Sequence, residues 1–227
     1  MKTIISVIML IMMTTLSYAN DIYVTQSGNA LDLDITQDGE NNTVGNSTTA
    51  SASTGATTIL NIDQIGNSNV ITYQINGATY TGVINLVGSS NNVDLNCDST
   101  GGNSSCGTAN AVINFTGSSN DIDLDIGQTS SANTADVDIV GQSGSDSNVV
   151  AATVDGNSAI LTITINGDTN NYLLDIDGNG DVNGHTLIHT HTGGIADVDI
   201  TQSGTNDNMI TLTTSGDNAD IDISQTD

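Results

Sequence analysis

Two groups of side chains in this chain could bind a metal ion. The first is a run of oxygen donors at alternate positions, the spacing that opens a calcium-binding loop: Asp175, Asp177, Asn179 and Asp181. The second comprises all the histidines of the chain, whose imidazoles could hold a transition metal: His185, His189 and His191. The bidentate glutamate that closes an EF-hand loop is absent, so the first group can also be interpreted as an Asp- and Gly-rich part of the repeat. The histidines can likewise be interpreted as polar residues of one strand.

Pairs of aspartates recur along the chain, and paired carboxylates are also the catalytic groups of glycoside hydrolases. The pairs and triplet are Asp32/Asp34, Asp121/Asp123/Asp125, Asp136/Asp138, Asp175/Asp177, Asp197/Asp199 and Asp220/Asp222. A glycosidase needs two carboxylates in contrasting environments, whereas these acids repeat uniformly, so we expect no enzymatic activity. We also expect no tightly bound cofactor. The rows could bind Ca²⁺ loosely, oppose stacking by charge repulsion, or form a merely solvated strand face.

Charge and the N-terminal segment restrict the partners of the chain. Lys2 is its only Lys or Arg, against 26 acidic residues, so no nucleic-acid partner is expected. Residues 1–19 have the parts of an export signal, with Lys2 before a short apolar run and small residues ending at Ala19. Cleavage there removes Lys2 and no acid, which changes the formal net charge from −25 to −26. We expect a secreted product without membrane insertion.

The expected export also bears on the redox state of the two cysteines. In an oxidising compartment Cys97 and Cys106 favour a disulfide that closes the loop 97–106. A catalytic thiol is the alternative, but the sequence supplies neither an evident base nor positive charge to lower a thiol pKa.

The elements that carry these residues are predicted by alternation and spacing. Apolar and polar residues alternate in short segments, which is typical of strands with one buried face: 31–35, 122–126, 161–165, 198–200 and 221–223. Glycines recur at intervals of 11, as from Gly66 to Gly77 to Gly88. Two arms of this length make a strand-turn-strand coil of about 22 residues. The sequence therefore predicts one all-β solenoid over residues 20–227, with an irregular segment at 43–58.

Amide side chains keep the same phase as the aliphatic residues and should share their buried face. The predicted members of this structural amide ladder are Gln26, Gln37, Gln64, Gln142, Gln202, Gln225, Asn42, Asn69, Asn120, Asn148 and Asn208. Amides stacked in successive coils can bond to one another, which offsets the cost of burying them. The alternative is that Gln and Asn are simply frequent turn residues.

The recurring pattern resembles that of the curlins, the secreted subunits of bacterial curli fibres. Their repeat places Gln, one residue and Gly before Asn and a second aliphatic segment. Similar units here are Gln26-Ser27-Gly28, Gln37-Asp38-Gly39 with Asn42, Gln64-Ile65-Gly66 with Asn69, Gln142-Ser143-Gly144 with Asn148, and Gln202-Ser203-Gly204 with Asn208. The resemblance extends from about residue 22 to the C-terminus.

The resemblance implies an amyloid-like β-solenoid that stacks into a homopolymer on the surface of a Gram-negative bacterium, for adhesion and biofilm matrix. It also implies a surface-held nucleator and an outer-membrane secretion pore. Two alternatives remain open: a monomeric adhesin stalk stiffened by Ca²⁺, or an ice-binding solenoid. The second would use two outward pairs, Thr162/Thr164 and Thr211/Thr213.

Overall fold

The computed structural model describes residues 21–39, 42–45, 51–54, 56–66, 68–75, 78–97, 107–127, 134–156, 158–177, 185–204 and 208–226. The expected export signal, residues 1–19, lies outside these ranges. Across them the backbone forms strands and turns and contains no helix, so none that could cross a membrane.

The strands follow the alternation of the sequence. In chain order they are β1 (Asp21–Ile22), β2 (Thr25–Ser27), β3 (Ala30–Asp38), β4 (Thr43–Val44), β5 (Ser51–Thr54), β6 (Thr57–Ile65), β7 (Val70–Ile75), β8 (Thr79–Val87), β9 (Asn92–Cys97), β10 (Thr108–Thr116), β11 (Asp121–Ile126), β12 (Thr134–Gly141), β13 (Val149–Asp155), β14 (Ser158–Asn166), β15 (Asn170–Asp177), β16 (Thr186–Thr192), β17 (Ala196–Ser203), β18 (Met209–Ser215) and β19 (Ala219–Thr226). Strands β4 and β5 and the start of β6 are the described part of the irregular segment 43–58.

Two parallel sheets share these strands and confirm the predicted β-solenoid. Sheet A contains β1, β2, β4, β5, β7, β9, β11, β13, β15, β17 and β19. Sheet B contains β3, β6, β8, β10, β12, β14, β16 and β18. Successive arms therefore alternate between the sheets, and each interior strand pairs with the strands one coil before and one coil after it.

The coils are longer on average than the glycine spacing predicted. Thr57 pairs with Thr79, which is 22 residues later, but Thr79 pairs with Thr108, 29 residues later. The mean is about 26 residues per coil. The longer coils contain segments such as 98–106 and 128–133, which lie outside the described residues.

The core lies between the sheets and consists of columns of similar side chains. One column of sheet B contains Ile35, Ile62, Ile84, Ile113, Ile139 and Ile163 in successive coils. All six are buried, with exposures of 6% or less. Stacking thus converts the two-residue alternation of each arm into one continuous apolar core.

Candidate functional site: stacked corners and open ends

One corner of the solenoid is built from a four-residue turn that ends in asparagine. It runs from Gly to Asn with a residue of positive φ immediately before the Asn, such as Ser90 before Asn91 and Ser119 before Asn120. The Asn side chain closes its own turn: Asn120 Nδ2 donates to the Gly117 carbonyl oxygen at 2.8 Å. Gly117 has φ 124°, and a Cβ there would overlap the Gly88 carbonyl group of the preceding coil. The corner therefore requires glycine.

The same asparagines bond from coil to coil. The ladder comprises Asn69, Asn91, Asn120, Asn148 and Asn170, all with exposures of 2% or less. Asn120 Oδ1 accepts from the backbone N–H of Asn91 at 3.1 Å and from its Nδ2 at 2.9 Å. Asn120 in turn donates both groups to Asn148 Oδ1, at 2.9 and 3.0 Å. The amide of Asn120 is thus satisfied on both sides within the stack, whereas Asn69 Oδ1, in the first coil of the ladder, is buried without a hydrogen-bond partner.

Three of the predicted asparagines, Asn69, Asn120 and Asn148, lie in this ladder, but the predicted set was incomplete. Asn91 and Asn170 belong to it but were missed, although both end the same Gly-x-Ser/Thr-Asn turn as Asn69 and Asn120. Asn42 is buried and bonds to carbonyl groups of its own coil and the next, including Ile65 O at 3.2 Å. Asn208 lies at the opposite corner, where its Oδ1 accepts from the His185 N–H at 3.2 Å.

Glutamine pairs stand at both ends of the solenoid. Gln37 and Gln64 are buried in neighbouring coils of sheet B, and Gln64 Nε2 donates to Gln37 Oε1 at 2.6 Å. Near the C-terminus Gln225 Nε2 donates to the buried Gln202 Oε1 at 3.1 Å, but Gln225 itself is exposed and not buried as predicted, because no further described coil covers β19. Gln26, half-buried, instead donates to the Ala30 carbonyl oxygen at 3.1 Å.

The prediction of a buried Gln142 was wrong, because this side chain is exposed. The inward position at the end of β12 is occupied by Gly141, and Gln142 follows it out of phase with the core. Phe115 from the neighbouring coil fills the space, since its Cζ would lie 2.7 Å from a Cβ at position 141. A large aromatic ring over a glycine therefore replaces the amide pair of other coils.

The aspartate rows are less repetitive than the sequence suggested. Several outward aspartates accept a bond from an asparagine one coil away: Asp34 from Asn61, Asp63 from Asn85, Asp121 from Asn92, Asp125 from Asn96 and Asp197 from Asn171. Aspartates align directly with aspartates of the neighbouring coil at Asp94/Asp123, Asp197/Asp220 and Asp199/Asp222. Partial burial and then the neighbouring carboxylates, Asp125 above all, raise the pKa of Asp94 and of Asp123.

Two of the histidines, His189 and His191, form a buried group with Tyr172, whereas the buried His185 lies apart and accepts from the Ala159 N–H through its Nδ1 at 3.1 Å. His189 and His191 lie on one face of β16, as predicted, but that face is the core. Tyr172 Oη lies 2.9 Å from His191 Nδ1, and the Tyr172 and His189 rings meet edge to face at a centroid distance of 4.3 Å. Burial, followed by repulsion from His191, lowers the pKa of His189 to about 4. Burial also lowers the pKa of His191, an effect that Asp168 opposes.

Neither metal hypothesis gains a complete ligand set. Among the residues that the structure describes, no three His, Cys, Asp or Glu side chains could together hold a metal ion. Asn179 and Asp181 of the calcium candidate lie outside those residues.

Of the two cysteines, the structure describes only Cys97. It is buried in the core and disulfide-bonded, and Cys106 lies outside the described residues.

The ends of the stack differ in charge and exposure. Every residue of β19 is exposed, including Ile221 at 37% and Ile223 at 49%. The outward residues of β18 are uncharged: Met209, Thr211, Thr213 and Ser215. At the other end, the outward face of β3 carries Asp32, Asp34 and Asp38, while its inward Leu33 is only half-buried. Each terminal strand has a backbone edge that pairs with no other described strand.

Comparison with known proteins finds no matching family model, no matching curated protein and no matching solved structure.

Proposed function

We propose that the mature chain is a secreted structural subunit that stacks end to end into a curli-like extracellular fibre for cell adhesion and biofilm matrix. The observation that carries this proposal is the pair of open ends. Both terminal coils leave backbone edges and apolar side chains uncovered, and such edges recruit further strands. The curlin resemblance adds a surface-held nucleator and an outer-membrane pore as proposed partners.

The register within sheet B favours head-to-tail contact between copies. Continuing the existing alignment would place Ile210 of β18 beside Leu33 of the next copy and Leu212 beside Ile35. The three outward aspartates of β3 would then meet Met209, Thr211 and Ser215. Contact between two β3 edges would instead bring Asp against Asp at about 4.8 Å. Charge therefore disfavours joining through two β3 edges.

The proposal is tested by incubating purified mature protein and following thioflavin fluorescence together with electron microscopy. We expect unbranched filaments about as wide as one solenoid. A Leu212→Asp variant, which places a charge at the junction, should remain monomeric. The control variant Thr213→Ser, changed at an outward position, should still form filaments. Protein that stays monomeric in salt, in acid and with Ca²⁺ would refute the fibre proposal.

A second candidate function, ice binding, rests on the outward threonines of sheet B. Thr164, Thr190 and Thr213 align in three successive coils, beside a column that contains Thr162 and Thr211. Such a flat, uncharged and regular array could order water. Thermal hysteresis of the monomer, lost on Thr190→Asp, would support this function, and its absence would exclude it.

A further inference from the structure

The two sheets contain different numbers of arms, and this affects how copies can join. In the described ranges β1 with β2, and β4 with β5, each form one broken arm, so sheet A has nine arms against eight in sheet B. The first and the last described strands therefore both belong to sheet A. If β19 were simply placed on β1 and β2 of the next copy, sheet B would lack one strand at every junction.

We propose that β19 of one copy displaces β1 and β2 of the next copy and takes their place, so that both sheets continue without a gap. This inference rests on the proposed stacking and names the contact that completes it. In the exchanged arrangement β18 pairs with β3 of the next copy, and β19 pairs with β4 and β5. Each copy then contributes eight coils to the filament.

The sequences of the two segments make the exchange possible. Residues 21–27 read Asp-Ile-Tyr-Val-Thr-Gln-Ser, and residues 220–226 read Asp-Ile-Asp-Ile-Ser-Gln-Thr. Ile22 and Ile221 occupy the same inward column of sheet A, as do Gln26 and Gln225. β19 can thus present to β4 and β5 the same aliphatic and amide groups that β1 and β2 present now.

Strand continuity and charge favour the incoming strand. β19 is one continuous strand of eight residues, whereas the segment it replaces is divided into strands of two and three residues. Simple apposition would align Asp220 with Asp21 of the next copy, which is repulsive, but exchange aligns Asp220 with Thr43. Gly28 separates β2 from β3, and a Cβ there would meet only the flexible Gln26 side chain, so this connection is not closely packed on that side.

Matched substitutions in one column distinguish exchange from apposition. Ile221→Asp removes the apolar anchor of the incoming strand and should slow filament elongation about tenfold or more. Ile22→Asp loosens the strand to be displaced and should speed elongation about tenfold, as the fraction of open ends rises. Deleting residues 20–27 from the mature chain should also speed it. Thermal melting of each monomer checks that the variants remain folded.

The axial repeat of the filament gives a second readout that does not depend on rate. Exchange predicts a rise of about 38 Å per copy, from eight strand spacings, whereas apposition predicts about 43 Å, from nine. Filaments with the longer rise, or slowed by both Ile22→Asp and Ile221→Asp, would overturn the exchange and the β18–β3 contact, while end-to-end stacking into a fibre would stand. Failure of the parent protein to form filaments would overturn both.

Discussion

At the residue scale, buried amides link the coils through specific bonds. Asn120 serves Asn91 on one side and Asn148 on the other, and its Nδ2 also closes its own turn. The same position is alanine in the last coils, where Ala196 and Ala219 align with Asn170. The amide ladder therefore stabilises the middle of the solenoid rather than its C-terminal end.

Replacing Asn120 by alanine should lower the free energy of unfolding by about 1–3 kcal/mol, because two donors of Asn91 lose their buried acceptor. The control is Asn110→Ala in β10, an exposed outward position, which should change stability by less than about 0.5 kcal/mol. Denaturant unfolding measures both variants. Equal effects of the two substitutions would contradict the ladder.

The buried His189 predicts a loss of stability in acid. Its pKa falls from 6.5 to about 4 in the folded protein, so the unfolded chain binds a proton first as the pH drops. The stability associated with neutral His189 is complete above pH 6.5 and declines as the pH falls towards 4, by about 3 kcal/mol in total. Melting of the wild type and of His189→Leu between pH 7.5 and 4.5 tests this expectation.

The leucine variant should show a flatter pH profile than the wild type, since it has no proton to take up at this position. Ile188→Leu, on the outward face of the same strand, is the matched control and should keep the wild-type profile. Parallel curves for the wild type and His189→Leu would place the acid sensitivity elsewhere.

At the element scale, the sequence predicted the strands and the repeat, but it did not place every side chain on the correct face of its strand. Alternation identified segments such as 122–126 and 221–223, because a one-residue slip would reverse every side chain. It misplaced Gln142, which is out of phase with the inward Val137 and Ile139 of the strand it follows. It also overlooked that Asn61 and Asn85 align with aspartates, since that pairing depends on coil lengths between 22 and 29 residues.

The corner glycines should be the positions least tolerant of a side chain. Gly117→Ala places a Cβ against the Gly88 carbonyl group at φ 124° and should destabilise the fold by about 2 kcal/mol or more. Gly28→Ala meets only the end of Gln26 and should cost less than about 1 kcal/mol. Chemical denaturation compares them, and similar losses would argue against close backbone contact at the corner.

At the scale of the whole molecule, the fold is a stack without an intrinsic length. Its core columns continue to the last coil, and neither end is covered by another described element. The same arrangement that satisfies each interior coil therefore leaves the terminal coils unsatisfied. Fold prediction from sequence was possible because local alternation decides the fold, whereas the proposed function depends on contacts between copies.

Net charge should control the rate at which copies join. The chain has a formal charge of −25, and like charges on approaching copies repel over a Debye length of about 30 Å at 0.01 M salt but about 8 Å at 0.15 M. Assembly should therefore be faster at the higher salt concentration. Light scattering at constant pH measures this rate, and a slower rate in salt would contradict repulsion as the main barrier.

A cryo-EM map of filaments grown from the mature protein tests the proposed stacking most directly. We predict a continuous solenoid in which β18 of one copy pairs in parallel with β3 of the next, and Leu212 lies beside Ile35. A map in which solenoids pack side by side, or meet through two β3 edges, would contradict it.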